Sequence, residues 1–209
     1  MAEPSASMHT KAIHAGEPDP RPAGAAVAPI YQSSTFLFEG DAAYDDVHYA
    51  RLSNTPTHDV IHRKLAALEN AADALVTASG MAAISSSLLT FLQQGDHVLV
   101  QDSLYGGTHM LVHKDLPALG IEVSVFDASD PDSLKTLVRS TTKVLYAETM
   151  SNPLVKVGEL DGLAAFALEH GLVSMIDNTF ASPVNFRPIE HGFDLSLHSA
   201  TKYLNGHTD

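Results

Sequence analysis

From Pro56 onward the chain alternates short, nearly all-apolar runs with stretches of helical period, and few folds can satisfy that order. The runs DALVTAS (73–79), HVLVQD (97–102), IEVSVF (121–126), KVLYAE (143–148), LVSMID (172–177) and DLSLHSA (194–200) read as strands. Between them MAAISSSLLTFLQQ, GTHMLVHKDLPAL, PDSLKTLV and ELDGLAAFALEHG read as helices, with Gly95 and Gly171 expected to end the first and last. Strands apolar throughout must be covered on both faces, and the intervening helices are the cover. The expected class is α/β, a mostly parallel sheet flanked by helices. An earlier helix is expected through VIHRKLAALEN, capped by Thr57, with Val60, Ile61, Leu65 and Leu68 near one face. Residues 1–55 lack a sustained period and carry many Pro, Gly and Ala residues. They read as an arm contacting a neighbouring subunit, and 56–209 as one large domain.

A formal net charge of −13 repels phosphate backbones and anionic lipid, which argues against nucleic-acid and membrane partners. There is no cysteine, so disulfide and thiolate chemistry is excluded. The polar N-terminus has no apolar stretch behind a basic start, and no run reaches bilayer length; a cytoplasmic protein is expected.

In open parallel sheets ligands bind beyond the carboxyl ends of the strands. The strand-end groups here are Ser79 to Met81, Asp102 to Thr108, Glu148 to Pro153, Asp177 to Thr179 and Ser199 to Lys202. Gly80 at a strand-to-helix junction allows N–H groups to approach an anion, although a simple tight turn has the same look. Asp177 is suited to hold a heterocyclic nitrogen protonated, or to cap a helix. Lys202 follows an apolar strand and two hydroxyl residues, Ser199 and Thr201. A lysine desolvated there becomes a nucleophilic amine, whereas most lysines are solvated surface residues.

Taken in order, IHAG, PIYQSSTF, YARLSNTPT, SGMAA, DSLYGGT, ETMSNP, DNTFASP and HSATKYLNGHTD resemble the landmarks of the Cys/Met-metabolism PLP enzymes, the cystathionine γ-synthase and γ-lyase family. The resemblance runs from about Thr10 onward. It implies the large domain of the aspartate-aminotransferase-like fold, with pyridoxal 5′-phosphate (PLP) as cofactor. Lys202 then resembles the Schiff-base lysine and Asp177 the partner of the pyridine nitrogen. Tyr105 resembles the tyrosine that stacks on the ring and passes protons to the leaving group. Gly80, Met81, Ser199 and Thr201 resemble phosphate ligands, and Asn152 a ligand of the ring's phenolic oxygen. Tyr49 and Arg51 resemble a pair that reaches the phosphate of a neighbouring subunit, so the resemblance implies a homo-oligomer: a dimer of shared sites, assembled as a tetramer. The implied activity is γ-elimination or γ-replacement on sulfur-containing or O-acyl-homoserine-type amino acids, the chemistry of transsulfuration. A β-eliminating C–S lyase such as cystathionine β-lyase, or a non-catalytic PLP-binding fragment, stand as alternatives.

Three departures from the family pattern stand out. Thr55 intervenes between Asn54 and Pro56, where many relatives read Asn-Pro-Thr. Gly107 stands where methionine γ-lyases resemble one another in having cysteine. The sequence stops at Asp209, before the second domain that supplies the family's arginine for the substrate carboxylate, so these residues alone are expected to bind PLP weakly and to turn over no amino acid. The pairs His58/His62 and His109/His113 have an i, i+4 spacing that can suit a metal, but no third ligand accompanies either. They are expected to be helix-surface histidines, and no metal is expected.

Overall fold

Five parallel strands carry the C-terminal part of the chain: β1 (His97–Gln101), β2 (Glu122–Phe126), β3 (Thr142–Glu148), β4 (Val173–Asp177) and β5 (Leu195–Leu197). The order across the sheet is β2-β1-β3-β4-β5, as expected of an α/β protein. The chain runs from β1 outward to β2 and returns to β3 on the other side, which creates a switch point between β1 and β3 where ligands can enter. This computed structural model describes residues 6–37 and 47–207. It divides into two compact units, Met1–Val76 and Thr77–Asp209.

In the second unit the strand period of two sorts the core into halves. Val98, Val100, Val144, Tyr146, Met175 and Leu197 point to one face, where they meet Ile84 and Leu88 of α3 (Gly80–Phe91). Leu111, Val112 and Leu116 cover the same face. They belong to one helical run made of α4 (Gly106–Met110), a wider π-type turn at Leu111–Asp115 and α5 (Leu116–Ala118). Pro117 has no N–H to give the preceding turn, and the wide turn lies just before it. Leu99, Leu145, Ala147 and Ile176 point to the other face, against Leu134 of α6 (Leu134–Leu137) and Leu163 and Phe166 of α7 (Leu160–His170). Gly171 ends α7 in the left-handed conformation, φ 63°, as a C-terminal glycine should.

In the first unit α1 (Met8–His14) is capped by Ser7, and α2 spans Pro56–Glu69. Gly16 joins them where only glycine fits: its φ is +78°, and a Cβ would stand 2.4 Å from the Val60 carbonyl oxygen. The cap of α2 is Thr55, not Thr57. The Thr55 hydroxyl accepts the His58 N–H and Pro56 takes the first helical position, where no N–H is needed.

The described residues depart from the sequence reading in three further places. Segment 73–79 is not a strand: it pairs with no neighbour, and the Val76 N–H donates to His62 Nε2 (3.0 Å). An apolar run becomes a strand only when a partner takes its backbone groups. Helix α3 stops at Phe91 rather than reaching Gly95, and the Asp96 carboxylate accepts the Gln93 N–H (2.9 Å) to form the following turn. Strand β5 ends at Leu197, and beyond it the Ser199 N–H donates to Thr179 Oγ1 (2.8 Å) instead of to a ladder carbonyl. No helix among the described residues is long and apolar enough to cross a membrane.

Candidate active site

The carboxyl ends of β1, β3, β4 and β5 and the N-terminus of α3 enclose a cavity of about 380 Å³. It is lined by Gly80, Met81, Tyr105, Asn152, Asp177, Ser199, Thr201 and Lys202, so eight of the ten sequence-derived residues meet in one place. The other two, Tyr49 and Arg51, belong to the first unit and meet each other. The Arg51 guanidinium lies 4.4 Å from the Tyr49 ring centroid, a cation–π pair. Asn54 ties their loop, accepting the Tyr49 N–H (2.8 Å) and donating to the Val47 carbonyl (2.7 Å).

One wall is built for an anion. Ser79 caps α3 by accepting the Ala82 N–H (3.0 Å), while no intrahelical carbonyl reaches the N–H groups of Gly80 and Met81. Gly80 is required by packing as well, since a Cβ there would stand 2.8 Å from Ser199 Cβ. That approach brings the Ser199–Lys202 turn, closed by the Lys202 N–H on the Ser199 carbonyl (3.2 Å), against the helix start. The sequence reading had a desolvated lysine at a strand end. Lys202 is instead exposed on this turn, because β5 has already released the chain.

The opposite wall is acidic. Asp177 shares the parity of Met175 and so points to the α3 face; Glu148 shares that of Val144 and Tyr146 and points the same way. The two are register partners across β3 and β4. Burial raises the Asp177 carboxyl above its ordinary range, against the pull of hydrogen bonds from Thr179, whose N–H lies 2.9 Å from Oδ1. Burial, and then the charge of Asp177, push Glu148 up to about 7, against the hydrogen bond it accepts from the Tyr105 N–H. A cationic ring nitrogen beside this wall would offset the cost of keeping the acids ionised.

Glu148, Met150, Thr179 and Phe180 also line the cavity, and the sequence reading assigned none of them a role. Glu148 and Thr179 lay within its strand-end groups, but the signal that singles them out is strand parity, visible only once the register is known. His58 shares a hydrogen bond with Thr55 Oγ1 (2.8 Å), and His62 accepts from Val76, so both hold local structure. Among the described residues no group of three or more His, Cys, Asp or Glu is placed to hold a metal.

The model of the Cys/Met metabolism PLP-dependent enzyme family matches residues 9–209. The chain belongs to that family. A Herpetosiphon aurantiacus protein named "Probable cystathionine gamma-synthase" is 42% identical over 200 residues, covering 96% of this chain and 62% of its own length. An L-methionine gamma-lyase of Fusobacterium nucleatum subsp. polymorphum is 42% identical over 214 residues, covering 97% of this chain and 53% of its own. The solved metY protein of Campylobacter jejuni superposes with a TM-score of 0.90 at 32% identity, over 98% of this chain and 52% of its own, and contains N′-pyridoxyl-lysine-5′-monophosphate. The chain therefore spans between about half and three-fifths of the length of these relatives. PLP is the family's cofactor, and the residues present fit it: the N–H groups at the start of α3, which Gly80 lets the Ser199–Lys202 turn approach, a carboxylate opposite, and an exposed amine on the same cavity.

Proposed function

We propose that this chain is the cofactor-binding part of an enzyme that eliminates or replaces the γ substituent of a sulfur-linked or O-acyl-activated homoserine-type amino acid. The observation that carries the reading is the convergence of Lys202, Asp177, Tyr105 and the α3 N-terminus on one cavity. Gly80 and Met81 N–H groups, with the Ser199 and Thr201 hydroxyls, hold the phosphate of PLP. Asp177 would pair with the ring nitrogen, Asn152 would donate to the phenolic oxygen, and Tyr105 would stack on the ring face. When bound, PLP draws electrons away from the substrate's α carbon. With PLP bound, Lys202 Nζ would hold the cofactor and would carry protons between the substrate's α and β carbons. The Tyr105 hydroxyl delivers a proton to the departing γ substituent. Tyr49 and Arg51 serve the phosphate of a neighbouring subunit, their mutual contact holding the guanidinium in a set place. The active unit is then a homo-oligomer, a dimer of shared sites assembled as a tetramer, and the setting is the cytoplasm.

The test supplies the full-length protein with PLP and cystathionine or an O-acyl-homoserine and measures the keto acid released. Release of 2-oxobutanoate is expected. Pyruvate in its place would move the assignment to β-elimination, and a protein that binds PLP and releases neither would sink the catalytic reading.

A further inference from the structure

Glu148 has no role in the mechanism above, yet it is a buried acid, 3% exposed, at the edge of the cavity. Burying a carboxylate beside a second one, its register partner Asp177, is costly unless strong donors meet it. The donors here are backbone groups of the cavity wall. The Tyr105 N–H donates to Glu148 Oε1 at 2.7 Å, across 43 positions of sequence, and the Asn152 N–H adds a second hydrogen bond.

We propose that Glu148 is a positioning residue for Tyr105: its side chain grips the Tyr105 backbone and so sets where the phenol ring stands over the cavity. This rests on the reading that Tyr105 stacks on the cofactor. The Tyr105 carbonyl already accepts the His109 N–H (2.8 Å) at the start of α4, and Glu148 fixes the other side of the same residue by taking its N–H. Tyr105 is followed by Gly106 and Gly107, which offer no side chain to pack. The ring is half exposed, and Gly107 leaves it room, since a Cβ there would lie 2.8 Å from Tyr105 Cε1. The grip itself is braced. Gln101, at the end of β1, accepts the Glu148 N–H through Oε1 (3.0 Å) and donates through Nε2 to the Ser103 carbonyl (3.3 Å), inside the same loop. Strand end, loop and acid thus form one hydrogen-bonded unit at the switch point. Displacement of a catalytic group by about 1 Å can cost a hundredfold in rate, so a fixed anchor has a function to serve.

The experiment labels the protein with 15N-tyrosine. The chain has six tyrosines, and Tyr105→Phe identifies the signal that matters. Glu148→Met fills the space and removes the acceptor; Glu148→Gln keeps an acceptor oxygen and removes the charge. Without PLP, Glu148→Met should move the Tyr105 amide signal upfield and speed its hydrogen exchange by about tenfold or more, while Glu148→Gln stays within about threefold of the parent. In PLP titrations followed by ring absorbance, Glu148→Met should weaken binding by about tenfold, and Glu148→Gln should restore it. An unchanged Tyr105 amide in Glu148→Met would overturn the proposal. So would a Glu148→Gln protein as defective as Glu148→Met, since the charge or proton would then be what matters. Because the amide measurement needs no cofactor, a parent protein that binds no PLP sinks the functional reading and leaves the anchor to be decided by the signal alone.

Discussion

Asp177 and Glu148 stand side by side because β3 and β4 run parallel in register and their last residues share a face. Both hold their protons more tightly when folded than a free carboxyl does, with burial as the leading cause. Between the ordinary Glu value of 4.5 and about 7, the folded protein therefore binds more protons at Glu148 than the unfolded chain. Stability contributed by the protonated form is present below that window and is lost as pH rises through it. For Glu148 the loss is on the order of 3 kcal/mol at most. Urea denaturation of Glu148→Gln should show a flatter stability profile between pH 5 and 8 than the parent. Equal slopes would mean that Glu148 titrates as a solvated acid. Lys202 carries a second expectation at this scale. Borohydride reduction with PLP should label Lys202 and no other lysine, and Lys202→Ala should abolish the label. A labelled peptide from elsewhere in the chain would remove Lys202 from the site. Lys202 stood out in the sequence only with the motif around it, since a lone lysine is usually a solvated surface residue. Glu148 did not stand out, because its face is a property of the assembled sheet.

Among the elements, α3 does most to define the cavity. Its N-terminus presents N–H groups, and Gly80 lets the Ser199–Lys202 turn approach closely. Gly80→Ala places a Cβ 2.8 Å from Ser199 Cβ, near the backbone rather than at the flexible end of a side chain. Overpacking of this kind costs about 1–3 kcal/mol, and separation of helix and turn should also weaken PLP binding. Thermal melts and a PLP titration of Gly80→Ala check both; a variant matching the parent in each would show that the turn shifts freely. The elements themselves were read well from periodicity, with instructive exceptions. Segment 73–79 has a strand's composition without a strand's neighbour. Thr55 caps α2 because Pro56 suits the first helical position, a preference that outweighs the apolar pattern used to place Thr57. Beyond β5 the Ser199 N–H meets a hydroxyl 20 positions away in sequence, a contact that no local pattern encodes.

At the scale of the molecule, the cavity lined by Lys202 and Asp177 lies within Thr77–Asp209, while Tyr49 and Arg51 belong to Met1–Val76. If the pair serves a neighbouring subunit, two inactive proteins should complement each other. Mixing Arg51→Ala with Lys202→Ala under conditions that exchange subunits yields hybrid dimers with one site carrying both intact residues. In the full-length protein, random exchange should restore about a quarter of parental keto-acid release. Confirmed mixing without recovery would show that each subunit supplies its own phosphate contacts.

The sequence by itself determined the class of fold, the family and eight residues that share the cavity. These follow from local information: the period of apolar residues, a glycine at a strand-to-helix junction, and short motifs in a set order. Tertiary structure alone decided which of the strand-end groups became neighbours. The order β2-β1-β3-β4-β5 puts a switch point beside Tyr105, and the β3–β4 register sets Glu148 against Asp177. The Ser199 N–H goes to Thr179 rather than to the sheet, and Lys202 follows on an exposed turn. Each of these rests on a hydrogen bond or a strand pairing between distant residues. The free energy of such a contact depends on burial and on a partner's position, and neither exists until the chain has folded.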